Sequence, residues 1–137
     1  MAAARVRVGG CRCARRLGAR GGPIASAEQR ADGGWSQLPT LASDAYATGQ
    51  ALVALHTAGQ VTSSDALYQR GVSFLMRTQH TDGSWLVRSR AVPFQPYKES
   101  GFPHGKDQWI SAAGTSWATM ALSLTAPKSS QQVTQTF

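Results

Sequence analysis

The chain is short of cysteine, of acid at one end, and of long apolar runs. Cys11 and Cys13 are its only cysteines. One residue between them is poor spacing for a mutual disulfide, and no second pair follows to make a zinc site with His56, His80 or His104. Cysteine usage therefore assigns no redox compartment. No apolar run reaches the ~18–20 residues of a membrane-spanning helix. Acids are missing before Glu28, while Arg5, Arg7, Arg12, Arg15, Arg16 and Arg20 crowd that end. The net charge of +7 is thus a property of the tail, because from Ile24 onward eight basic residues face seven acids. A nearly neutral body disfavours nucleic-acid binding by the folded part.

What remains is 137 residues, 42% hydrophobic and 15% charged, enough for one domain with a modest core. Residues 1–23 are Ala, Arg and Gly with no hydrophobic period, a composition that favours disorder. A transit peptide would be Arg-rich in this way but also Ser-rich and amphipathic. A twin-arginine signal at Arg15-Arg16 lacks its apolar stretch. An Arg-rich arm could bind DNA or RNA non-specifically. The favoured reading is a tail unrelated to the fold. Residues 128–137 are polar and expected to fray. The domain is placed at 24–127.

Two stretches organise that domain. Gln29-Arg30-Ala31-Asp32-Gly33-Gly34-Trp35 and Gln79-His80-Thr81-Asp82-Gly83-Ser84-Trp85 agree at Gln, Asp, Gly and Trp and lie 50 positions apart. A supersecondary unit used twice is the simplest account. The first turn follows the end of a helix at 24–29. A helix is predicted from a cap at Ser43 or Asp44 to about 58, with Ala47, Ala51, Leu52 and Leu55 on one face. Ala45, Gly49 and Ala54 are small enough to let a neighbouring helix come close, and Gly59 supplies a stop. A second helix is predicted from 65 to about 79, capped by Ser64, with Leu67, Gly71, Phe74, Leu75 and Thr78 inward. Trp85 to Arg88 reads as briefly extended. A long loop with three prolines follows, and a third helix is predicted from Ala112 to about Thr125, with Trp117, Met120, Ala121 and Leu124 as its stripe and Pro127 as its end. The first and third helices align at an offset of 69, Thr48 over Trp117, which makes the second loop 19 residues longer than the first.

Gln29, Asp32, Gly33 and Trp35, with Gln79, Asp82, Gly83 and Trp85, resemble the QW repeat of squalene-hopene cyclases and related triterpene cyclases, a superfamily that includes prenyltransferase β subunits. The resemblance spans residues 26–126. It implies an all-α fold, a partial (α/α) barrel or toroid built of helical-pair QW repeats, here as a C-terminal fragment short of a full ring. It also implies that the motif is structural, with Gln satisfying groups at a helix end and stacking on Trp. A calcium site at Asp32 or Asp82 is the rival, but each turn offers one carboxylate.

The family's acid motif, Asp-x-Asp-Asp, matches best at Leu41-Ala42-Ser43-Asp44, where the central proton donor falls on Ser43. A hydroxyl does not replace a strong acid. Asp44 reads more simply as a cap. The zinc site of prenyltransferases would need a cysteine beyond Cys13. His104 is a candidate general base in the densest polar-aromatic cluster, Tyr97, Lys98, Glu99, Phe102, His104, Asp107 and Trp109. A loop packed on itself is the plainer reading of that cluster. Asp44 and His104 are thus the candidates for chemistry, and neither is assigned a catalytic role. No cofactor or metal is expected. The expected function is a terpene-cyclase-like repeat domain serving as a structural scaffold, its partner the remainder of the toroid or another copy of itself, with an isoprenoid or lipid as candidate ligand. The alternatives are a cyclase relative active only with a partner chain, and nucleic-acid binding through the Arg tail.

Overall fold

The computed structural model describes residues 28–92 and 98–126. These hold three helices and no strand: α1 (Ala45–Thr57), α2 (Ala66–Thr78) and α3 (Gln108–Ser123), the last preceded by a single 3-10 turn, Gly105–Asp107. The class is all-α. The expected tails and Tyr97 lie outside the described residues, and of the helix end expected at 24–29 only Glu28 is described as helical.

Asp44 starts α1. Its backbone is extended and its carboxylate Oδ1 accepts the Ala47 N–H at 2.8 Å, satisfying one of the unpaired amides of the first turn. Ser43, the other candidate cap, instead gives its hydroxyl to Asp32 Oδ1 at 3.1 Å. The helix stops as predicted at Gly59. Gly59 N–H reaches His56 O and Gln60 N–H reaches Leu55 O, the paired bonds of a Schellman end, with Gly59 at φ +67°.

α2 is capped by Asp65 rather than Ser64. The Asp65 carboxylate caps nothing in the helix. It folds back onto Thr62, taking its N–H at 2.5 Å and its hydroxyl at 2.9 Å, and these bonds hold the acid below its ordinary pKa. Tyr68, Gly71, Phe74 and Leu75 are the buried face. Thr78 is exposed, its hydroxyl returned to Phe74 O. Tyr68 is fully buried and donates to Ala121 O at 2.7 Å, serving a carbonyl in the last turn of α3. Burial pushes its phenol up from the ordinary range.

α3 begins at Gln108, one turn before the predicted start, because the 3-10 turn feeds directly into it. Its buried residues are Gln108, Ser111, Gly114, Ala118 and Ala121, a face of small groups with the Gln108 amide at its start. The predicted stripe is corrected at Met120, which is 48% exposed. The reason is close packing on α1. A Cβ on Gly49 would lie 2.6 Å from the Trp117 carbonyl carbon, so the two backbones nearly touch and long side chains are displaced to the flanks. The core lies where α1 meets α2 and α3, around Leu52, Leu55, Tyr68, Phe74, Leu75, Trp85 and Ala118.

Candidate functional site

The two Gln-to-Trp turns have the same internal bonding. In each, the Asp Oδ1 accepts the N–H two residues on, from Gly34 and from Ser84, at 2.9 Å. Residues 30 and 34, and 80 and 84, are closed by N–H to O bonds of 2.9 Å. Gly33 and Gly83 sit at φ +86° and +84°, a conformation costly for a residue with a Cβ. The Gln amide donates to the Gly carbonyl of its own turn, Gln29 to Gly33 at 2.9 Å and Gln79 to Gly83 at 3.0 Å. Gln29 also reaches a helix end as expected, donating to Leu67 O in the first turn of α2 at 2.9 Å, whereas the Gln79 bond stays within its own turn. At the second turn that task falls to Trp85, whose indole N–H donates to Leu75 O in the last turn of α2 at 2.8 Å.

Each turn then delivers its Trp backbone N–H to a threonine hydroxyl on a helix, Trp35 to Thr48 at 3.0 Å and Trp85 to Thr115 at 3.1 Å. These anchors fix the alignment of α1 on α3. Thr48 and Thr115 correspond, an offset of 67 rather than 69, and Ala45/Ala112, Ala51/Ala118, Ala54/Ala121 and Leu55/Leu122 then coincide. Trp and Thr are 13 apart in the first unit and 30 in the second, so the second loop is longer by 17 residues. Beyond Trp85 the chain takes no regular secondary structure, its Val87 N–H and C=O both served by the buried Ser111 hydroxyl.

The second turn carries a polar cluster that the first does not. Ser84 is buried, and its hydroxyl lies 2.6 Å from Asp82 Oδ1 and 2.7 Å from His104 Nε2. The His80 and His104 rings meet edge to face at 4.8 Å, and the Phe102 ring is tilted against His104 at 6.5 Å. His104 has φ +84°, the one non-glycine in that region among the described residues. The Ser84 hydroxyl and N–H, with smaller help from the two imidazoles, hold the Asp82 carboxyl below its ordinary pKa. A hydroxyl has one proton. Given to Asp82, it leaves the Ser84 oxygen to accept from the His104 Nε2–H. The order is carboxylate, hydroxyl, imidazole. Nucleophilic catalysis needs the imidazole in the middle and the hydroxyl exposed. This arrangement pins a loop to a turn.

The expected loop cluster is divided. His104 and Phe102 go to the turn. Asp107, 3% exposed, accepts the Ser89 N–H at 2.8 Å and Arg88 Nη1 at 3.1 Å; these bonds, the amide first, keep its carboxyl below its ordinary pKa. Gln108 is fully buried and takes the Ser100 N–H and hydroxyl on its Oε1. Trp109 is 59% exposed, its indole N–H on Lys98 O. Asp107 and Gln108 thus fasten the two limbs of the loop to the head of α3. Asp44, the other chemical candidate, has its second oxygen on the Gln37 amide at 2.9 Å, with Arg90 at 3.6 Å. Both oxygens are engaged.

Among the described residues no three His, Cys, Asp or Glu side chains are grouped to hold a metal ion, and no helix is long and apolar enough to cross a membrane. Sequence reasoning missed Ser84, His80, Gln108 and the two threonines. Ser84 and His80 occupy the variable positions of the repeated motif, and the threonines sit at unequal distances from it. No protein-family model matches the chain, and no solved structure matches it.

Proposed function

We propose that the chain is a terpene-cyclase-like helical repeat domain, a partial α/α toroid whose role is structural, without independent catalysis. The observation that carries this reading is the repeated clasp: two turns with the same bonds, each anchoring its Trp amide on a threonine of the helix that follows. At the first turn the polar groups of the motif are spent within the turn and on α2, as a structural repeat requires. Asp44, the residue best placed by the family's acid motif, caps α1 and binds Gln37. A surface groove of about 410 Å³ near it is lined by Gln37, Arg88 and Arg90 together with Trp109 and Ile110, an open groove of mixed character.

Incubation of the purified chain with squalene, followed by mass spectrometry of the lipid extract, tests this. No cyclised product is expected. Product that disappears in Asp44→Asn would overturn the scaffold reading in favour of a cyclase. Salt-sensitive DNA or RNA binding lost on deletion of residues 1–23 would instead assign the function to the tail.

A further inference from the structure

The two turns differ in what covers them. On the first, α2 supplies a complete set of partners. Leu67 O accepts from Gln29 Nε2 at 2.9 Å, Arg70 donates twice to Gln29 Oε1, and Arg77 Nη2 donates to Asp32 O at 2.5 Å. The Arg70 carbonyl lies 2.5 Å from where a Gly33 Cβ would be, so helix and turn are in backbone contact and Gly33 is buried. On the second turn the same groups face outward. Gln79, Asp82 and Gly83 are exposed, and the nearest atom to a Gly83 Cβ is the turn's own Gln79 Nε2 at 4.0 Å. No described residue donates to Gln79 Oε1 or to the Asp82 carbonyl.

The difference continues onto the helices. The α1 residue under α2 is Leu52, fully buried against Gly71. At the offset of 67 its counterpart on α3 is Thr119, exposed, flanked by exposed Ser116 and Ser123. That flank is small and polar at these three positions, with the Met120 side chain, 48% exposed, between them.

We propose that the second turn and the Ser116–Thr119–Ser123 flank of α3 form a docking surface for a basic helix of another polypeptide, seated as α2 is seated on the first turn. The turn presents two carbonyl-type acceptors and the Asp82 carboxylate, which suit guanidinium donors. The α2 template places those donors seven positions apart, two helical turns along one face. The α3 flank, with Met120 exposed among Ser116, Thr119 and Ser123, suits an amphipathic basic helix such as α2, and its polar share makes the contact weak and salt-sensitive. This deepens the scaffold reading by giving the partner's chemistry, and rests with it on the equivalence of the two turns.

The test uses the full chain, labelled with ¹⁵N, titrated to millimolar concentration with a synthetic peptide of the α2 sequence, residues 66–78. Shifts are expected at the Gln79 side-chain amide, Asp82, Gly83 and Thr119. Replacing both arginines of the peptide with glutamine, or Gln79→Ala in the protein, is expected to weaken binding about tenfold. No shift at millimolar peptide overturns the proposal. So do shifts centred on Gln29 and Gly33, which would mean displacement of the resident α2, and binding indifferent to both replacements. Cyclised squalene in the earlier assay would sink the scaffold reading while leaving this titration free to succeed or fail.

Discussion

The first turn is a clasp closed by a helix, and the second is the same clasp left open on one side and tied to a loop on the other. Their backbones and Asp-to-amide bonds agree, so those features belong to the Gln-x-x-Asp-Gly-x-Trp sequence itself. The two turns differ at the three variable positions: Arg30, Ala31 and Gly34 in the first become His80, Thr81 and Ser84 in the second. Gly34 is needed where it is: a Cβ there would lie 2.7 Å from the Ser43 Cβ and 3.0 Å from the Phe74 ring. Ser84 has room for a side chain, and its hydroxyl becomes the link to His104. The turn is therefore a fixed frame in which the position before Trp is adjustable, used for packing in the first copy and for holding a loop in the second.

The largest effect should come from the part the two copies share. Trp35 and Trp85 are 5% and 2% exposed. Replacement of either by Ala is expected to cost about 3–5 kcal/mol. Trp85→Ala should be the worse, since it also strips the Leu75 carbonyl of its indole donor. His104→Ala, which removes a half-buried ring from a loop, should cost less than about 1.5 kcal/mol. Thermal midpoints of the four proteins decide this, and equal values for Trp85→Ala and His104→Ala would refute the structural role of the turn.

The next experiment separates the frame from its cover. Gly33→Ala and Gly83→Ala both force a Cβ into positive φ, a strain of about 1–2 kcal/mol each. Only Gly33→Ala also drives a methyl into the Arg70 carbonyl. It should lose about 1–3 kcal/mol more than Gly83→Ala in urea titrations. Equal losses would mean that α2 does not press on the first turn, and the distinction between closed and open clasp would fail. Gln29→Ala and Gln79→Ala repeat the comparison with hydrogen bonds. Gln29 holds Gly33, Leu67 and Arg70, whereas Gln79 holds Gly83 and is exposed. About 1–2 kcal/mol is expected for the first and under about 0.5 kcal/mol for the second.

The helices were readable because period and stop signals agree with packing. Asp44 and Gly59 bracket α1 as expected, and Gly49 predicted close approach correctly because only its missing Cβ admits the α3 backbone. Met120 misled because hydrophobicity was taken for burial. Two helices in backbone contact bury small residues and push large ones aside, and period alone does not distinguish those cases. The offset of 69 followed apolar letters. The anchoring threonines, whose role is a hydrogen bond to a distant tryptophan amide, place it at 67. The loop cluster was recognised as a set, but its division depends on which polar atom each side chain reaches. Asp107 turns to Ser89 and His104 to Ser84, and that choice is made by the closed loop rather than by local sequence.

The smallest effect concerns the loop link, and pH reads it. The Asp82 carboxyl is held below its ordinary pKa in the folded chain, chiefly by the Ser84 hydroxyl and then by the Ser84 amide. A carboxyl with a depressed folded pKa binds protons more readily when unfolded. Its contribution is therefore complete above its unfolded pKa and is lost as pH falls through the folded value. Acid titration of the unfolding midpoint should show this loss below pH 3.8. Ser84→Ala removes the largest cause and should flatten that part of the curve, while leaving the losses due to Asp65 and Asp107, which are held down by Thr62 and Ser89. No matching change can be built into the first turn by Gly34→Ser, because the added Cβ meets Ser43 and Phe74 before a hydroxyl could reach Asp32. If Ser84→Ala leaves the acid limb unchanged, the hydroxyl does not carry the Asp82 charge, and the second turn loses the feature that distinguishes its loop side from the first.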